Sequence, residues 1–301
     1  MSGKLKIQVY FLVFLSIVFW GLSFVWSKQA LHYYNPISVI FFRLILSIVF
    51  LFLFGYLFNL LDKVEKQDWK KFILIAFWEP FAYFLGENYG LTLVSSTTAS
   101  VIIATIPLFS PIAAYYFHYE RITKLNFVGI VLSVFGVFLV VLKPDFTFKG
   151  NLLGFLFLFW AVFSAVMYSV FVLDLSKKYN VFTIITYQNS FGLLMFLPLF
   201  LLFDLQSVIQ TGFIWQPWKQ IFLLAIFASS LAFIFFTYGI KHLGITKTNI
   251  LTNFIPIITS FFSFLILNER FTWFNIIGIL IVILGVVMAQ IGRTYKVANE
   301  F

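Results

Sequence analysis

The sequence predicts an all-α integral membrane protein of ten transmembrane helices, built as two inverted five-helix repeats. Three observations lead there. The 301 residues are 62% hydrophobic and only 10% charged, with a mean hydropathy of +1.01. The apolar residues fall into ten runs of near-uniform length. A 41-residue stretch recurs, without a gap, 149 residues further on.

Soluble domains carry about 25% charged residues, so a chain this poor in charge must be solvated mainly by lipid. A spanning helix needs about 20 apolar residues. The qualifying segments are 8–27, 37–58, 71–92, 97–117, 125–142, 151–172, 182–203, 219–240, 246–267 and 273–291. Lys4 and Lys6 before the first run resemble the start of a signal peptide, but that run is long and no small-residue cleavage site follows it. It reads as a retained first helix. The longest polar connection is 204–218, too short for a soluble domain.

The formal net charge is +9. The basic residues sit in short clusters between apolar runs, which points to membrane topology and away from nucleic acid. With the N-terminus inside, the cytoplasmic connections hold Lys4, Lys6, Lys63, Lys66, Lys70, Lys71, Arg121, Lys124, Lys177, Lys178, Lys241, Lys247, Arg293 and Lys296. The outer connections hold only Lys28, Lys143, Lys149, Lys219 and Arg270, and Arg43 is left inside a helix. This bias predicts a multi-pass protein of the cell inner membrane with both termini cytoplasmic. Trp69, Trp215, Trp218 and Trp273 fall at segment ends, where an interfacial belt is expected.

The chain has no cysteine, and His32, His118 and His242 show no ligand spacing. No phosphate loop, dinucleotide fingerprint or zinc-protease motif occurs. No metal and no cofactor are expected.

The repeat sets residues 97–137 over 246–286 with eleven identities, among them Pro107/Pro256, Glu120/Glu269, Arg121/Arg270, Asn126/Asn275, Gly129/Gly278 and Gly136/Gly285. Tyr89-Gly90 and Tyr238-Gly239 share the same offset. At other offsets Trp20 answers Trp160, and Arg43 answers Gln188. The chain divides into residues 1–145 and 146–301, five helices each. Because five is odd, the second half enters the membrane in the opposite sense. Inverted repeats of this kind are typical of secondary transporters, whose halves close on one side while opening on the other.

The runs FWGLSFVWSKQAL, FFRLILS and ENYGLTLVSSTTASVIIATIPLFSPI, with the paired HYERITKLNFVGIVLSVFGVFLV and LNERFTWFNIIGILIVILGVVMA, resemble the EamA-type family of the drug/metabolite transporter superfamily. The resemblance covers nearly the whole chain. It implies a single-chain inner-membrane permease, usually an exporter of metabolites, amino acids or drugs. It also implies a central cavity lined by helices one, three, four, six, eight and nine. No hydrolytic motif is present, so gradients would drive transport and protons are the candidate coupling ion. An uptake permease of the same fold, or an intramembrane enzyme using Glu79 and Glu87, are the alternatives.

Pro107 and Pro256 stand at equivalent places in helices four and nine. Each removes a helix hydrogen bond and frees a carbonyl, which marks a hinge or a cavity wall. The four paired glycines of helices five and ten read as close-packing positions. Glu120-Arg121 and Glu269-Arg270 sit at helix ends, with Thr123 and Thr272 placed to cap the helices that follow. Asn249 and Asn253 share a face of helix nine at i, i+4. Trp20, Ser23 and Trp26 on helix one, and Trp160, Ser164 and Tyr168 on helix six, fall where family members build the cavity. Gln188 and Asn189 are weaker candidates.

The acids of FWEPFAYFLGENYG carry the chemistry. Helix three enters from the cytoplasm, so a rise of about 1.5 Å per residue puts Glu79 roughly 12 Å deep and Glu87 about 12 Å further. They lie about 80° apart around the axis with Tyr83 between them. Arg43 on helix two lies about 9 Å from the outer surface, level with Glu87. Arg43 and Glu87 are therefore expected to form a charge pair, either strut or gate. Glu79 has no basic partner at its depth and is the better candidate for binding a proton or a substrate ammonium group.

Overall fold

The computed structural model describes residues 3–109, 124–141, 151–243, 248, 251–270 and 272–291. The described residues are helical, with short turns between elements. Helix α1 runs Gly3–Ala30 and α2 Pro36–Leu57. A 3₁₀ turn, Lys66–Asp68, leads into α3 (Trp69–Ala76), a π turn (Phe77–Ala82) and α4 (Tyr83–Leu93). These last three together are helix three. Next come α5 (Ser96–Ile103), α6 (Lys124–Val141), α7 (Leu152–Lys178) and α8 (Val181–Leu199). A π turn, Phe200–Asp204, continues α8 into α9 (Leu205–Thr211). Helix eight is α10 (Trp215–Leu223), a π turn (Leu224–Leu231) and α11 (Ala232–Leu243). The described chain ends with α12 (Ile255–Leu267) and α13 (Trp273–Ile291).

Five of these stretches are long and apolar enough to cross a membrane: Leu5–Ala30, Pro36–Leu57, Leu152–Lys178, Val181–Thr211 and Trp215–Gly239. Ser96–Phe109, Lys124–Val140, Ile255–Leu267 and Trp273–Ala289 are shorter apolar helices. One connection departs from the sequence reading. The span 204–218, expected as a polar loop, is helical to Thr211 and again from Trp215. Gly212 makes the intervening turn at φ +68°, a conformation that suits glycine because it has no Cβ.

The 149-residue offset returns in space where α6 crosses α13. A Cβ on Gly129 would lie 2.6 Å from the Ala289 nitrogen, and one on Gly285 would lie 2.6 Å from the Gly129 oxygen. Gly136 and Gly278 face each other in the same way. Only glycine lets the two backbones approach this closely. Asn126 donates its side-chain amide to the Ala289 carbonyl, and its equivalent Asn275 donates to the Val140 carbonyl. Ser133 donates to the carbonyl of its own equivalent, Val282, at 2.9 Å. Each contact exchanges into its partner when 149 is added to one residue and subtracted from the other. The two helices are antiparallel and related by a local two-fold.

Helices α2 and α8 pack side by side and are held at both ends. The Asp204 carboxylate accepts from the Ser38 backbone and hydroxyl at 2.8 and 2.7 Å. At the other end Asp62 accepts from the Asn180 backbone at 2.6 Å and donates its own N–H to the Thr183 hydroxyl at 2.7 Å. Both contacts satisfy backbone groups at the starts of helices.

Candidate functional site

Helix three is broken at its acid. Glu79 has φ −147° and ψ 119°, which is extended backbone inside a helix. Pro80 follows and supplies no N–H. The proline ring fits against α8 at Gly192, where a Cβ would lie 2.9 Å from Pro80 Cδ. The break is thus packed into the bundle. It also overrides the 80° estimate between Glu79 and Glu87, which requires a continuous helix.

The structure forms the expected charge pair. Arg43 Nη1 lies 3.9 Å from Glu87 Oε2, and both side chains are buried. The Tyr83 hydroxyl donates to the other carboxylate oxygen at 3.1 Å. The guanidinium carbon lies 4.1 Å from the Phe84 ring centroid, and Arg43 Nε donates to the Ser229 hydroxyl. A buried guanidinium is tolerable only with such a set of partners, because each ion removed from water costs several kcal/mol.

Glu79 differs. It is buried, and among the described residues no hydrogen bond or ion pair holds its carboxylate. Glu87, Arg43 and Tyr168 are close enough to act on it electrostatically. Tyr168, on α7, donates its hydroxyl proton to Gln188 Oε1 at 2.9 Å. Gln188 and Asn189 are both buried, and Asn189 donates separately to Ser47.

Helix eight meets the site at its π turn, where three successive residues are held by side chains of the first half. Trp20 Nε1 donates to the Ala228 carbonyl at 3.3 Å. Arg43 donates to Ser229, and Ser47 and Ser230 share a bond at 2.9 Å. Ser230 spends its proton on the Ala225 carbonyl, so Ser47 is the donor, and Asn189 donates in turn to Ser47 at 3.0 Å. Phe84, Gly192, Ser47, Ser229 and Ser230 escaped the sequence reading. A hydroxyl pair deep in an apolar run was the available signal for the serines.

The other candidates divide. Trp20 packs its ring on Phe233 and Phe236 at 5.2 and 4.9 Å. Ser23 is buried but donates to the Trp20 carbonyl, which occupies its proton within its own helix. Trp160 is 44% exposed and packs with Trp78 and Phe163. Pro107 and Pro256 are buried, and each follows a break in its helix, at 104–105 and 253–254. The matching bonds Thr105 N–H to Ile102 and Phe254 N–H to Leu251 measure 3.0 and 3.1 Å. Asn253 is buried beside the second break with both amide atoms unpartnered among the described residues. Asn249, Glu120, Arg121 and Thr123 lie outside the described residues.

Glu269 acts as a remote cap. Its carboxylate accepts from the backbone of Ser96 and Thr97 at 2.8 and 3.3 Å, and from the Thr97 hydroxyl at 2.7 Å. With Ser95 accepting from the Thr98 N–H, the first turn of α5 is satisfied. Thr272 donates its N–H and hydroxyl to Asn275 Oδ1. A cavity of about 480 Å³ opens here, lined by Lys28, His32, Thr98, Glu269 and Arg270 among others, and the helix-three acids do not line it. At the other end of the bundle Asp68 is buried and pushed down to about 2, by hydrogen bonds first from Lys178 and then from Tyr179.

The EamA-like transporter family matches this chain twice, over residues 7–142 and 152–290. An uncharacterized transporter of Archaeoglobus fulgidus is 25% identical over 272 residues, covering 90% of this chain and 95% of the relative. The uncharacterized transporter YetK of Bacillus subtilis is 27% identical, covering 85% and 80%. The uncharacterized inner membrane transporter YicL of Salmonella typhimurium is 25% identical, covering 93% and 94%. One protein of known crystal structure aligns over 95% of this chain and 97% of its own with a TM-score of 0.69, and at 14% identity it shows the fold alone. Two matches of one family model, on apolar helices long enough to span a bilayer, make this multi-pass membrane protein a member of the EamA-like transporter family.

Proposed function

We propose that the protein exports a small organic solute across the cytoplasmic membrane by alternating access, with both termini cytoplasmic and ten spans in two inverted halves. The antiparallel two-fold crossing of α6 and α13 supports that architecture. Glu79 is the residue that takes a proton or the ammonium group of an amino acid or cationic drug. The carrying observation is the contrast between two buried acids on one helix. Glu87 has Arg43 and Tyr83 as partners, whereas Glu79 has none among the described residues. A buried acid left without a partner is costly unless a ligand or proton completes it. Pro107 and Pro256 are the hinges of helices four and nine, and Asn253 offers hydrogen bonds across the site. Asn249 is assigned to the same face from the sequence.

A thermal-shift screen of purified protein against amino acids, nucleosides and cationic drugs tests this reading. A stabilising compound that loses its effect in Glu79→Ala supports it. Incubation with lipid extract serves as the counter-test. Chemically altered lipid would favour an enzyme, and a solute recovered unchanged after crossing favours transport.

A further inference from the structure

We propose that Arg43 is a positioning residue that couples occupancy of the helix-three carboxylates to the register of the π turn in helix eight. This rests on the reading of those carboxylates as the site. The geometry is specific. One guanidinium bridges the halves, with Nη1 3.9 Å from Glu87 and Nε bonded to Ser229. Phe84 at 4.1 Å confines the group between them. The Arg43 end that meets the acid and the end that holds helix eight therefore move as one rigid plane.

The receiving element is suited to switching. A π turn holds one extra residue relative to an α-helix, so it relaxes by a change of register. The turn at 224–231 is gripped at Ala228, Ser229 and Ser230 by Trp20, Arg43 and Ser47. Of these three grips, only that of Arg43 touches an ionisable partner. The charged and titratable groups facing it are Glu87, Glu79 and Tyr83 on helix three, with Tyr168 nearby on α7. A cation arriving at these carboxylates, whether proton or ammonium, competes with Arg43 for Glu87. The guanidinium then turns, Ser229 loses its donor, and the turn is free to shift.

The test is hydrogen exchange of backbone amides 224–231, followed by mass spectrometry in lipid nanodiscs. Glu87→Gln keeps the shape of the side chain but removes the charge, and among the described residues Glu87 makes no hydrogen bond or ion pair to the turn. It is expected to speed exchange at 224–231 at least about fivefold, the lower end of ordinary site-to-site coupling. In a Ser229→Ala background the same substitution adds less than about twofold, since coupled pairs fail to add. Ser229→Thr restores the coupling. Equal acceleration in both backgrounds, or none in the parent, overturns the proposal. If Glu87→Gln does not fold, Arg43→Lys is the second probe. It retains the charge and lacks the Nε donor, so unchanged exchange at 224–231 in that variant is equally fatal. Transport can persist when this coupling fails, so the two readings fall separately.

Discussion

Helix three and helix eight occupy equivalent places in the two halves, and both depart from α geometry there. The repeat offset carries residues 77–82 onto 226–231, inside the second π turn. Yet helix three holds Glu79 and Pro80 where helix eight holds Ala228 and Ser229. A π turn therefore does not require proline, because helix eight has one without it, but only helix three carries an extended residue inside its turn, at Glu79 just before Pro80. The two copies share an irregular backbone here, and the acids stand on one copy only. Helix three carries the acids, and helix eight carries the hydroxyls that receive side chains from the first half.

The largest effect comes from placing an acid on the wrong copy. Ala228 is fully buried beneath Trp20. Ala228→Glu buries a charge with no partner, at a cost of several kcal/mol. It is expected to abolish recovery of folded protein in size-exclusion chromatography, and normal yield would show that helix eight can host the acid as well. Next is Arg43→Met, which leaves Glu87 buried without its counter-charge. Breaking such a pair costs about 3–5 kcal/mol. A thermal melt should show the loss, and adding Glu87→Met should recover much of it.

Gly192→Ala sharpens the comparison from the packing side, since its methyl would press on the proline ring that helix eight lacks. Overpacking of this kind costs about 1–3 kcal/mol. Urea or thermal unfolding would measure it, and a neutral result would mean that the break at Glu79 yields easily. Away from the two turns, Glu269→Gln weakens the cap on α5 by about 1 kcal/mol. The smallest effect is on pH. The Asp68 carboxylate sits below its unfolded value near 3.9, so its contribution is complete above about pH 4 and fades as pH falls toward 2. Melting curves over that range should fall less steeply for Asp68→Asn than for the parent.

Much of this frame was legible in the sequence. Hydropathy marked five of the helices that are long enough to span a bilayer, and the four glycines read as close-packing positions do lie at the α6–α13 crossing, though which of them meet, Gly129 with Gly285 and Gly136 with Gly278, came only from the structure. Depth counted from helix ends placed Arg43 level with Glu87, and the pair formed. What failed were inferences that assume a regular helix. The π turn at 77–82 changes the direction of Glu79, and apolar residues alone do not signal the turn at 224–231. Trp160, placed by resemblance where relatives build the cavity, is 44% exposed, and a resemblance does not say which way a single aromatic side chain faces. Ser47 has no pattern of its own, and the Ser229-Ser230 pair does not say what it meets. Their importance comes from meeting across helices far apart in the chain.

The central claim is that Glu79 is the acid that handles the transported species. Its most direct test is flux in proteoliposomes, using a compound that stabilises the purified protein, with parent and Glu79→Gln compared from pH 6 to 8. The account predicts that the parent moves the compound unchanged and that Glu79→Gln loses at least about tenfold in rate, the equivalent of about 1.4 kcal/mol. Normal transport by Glu79→Gln across that whole range would contradict it.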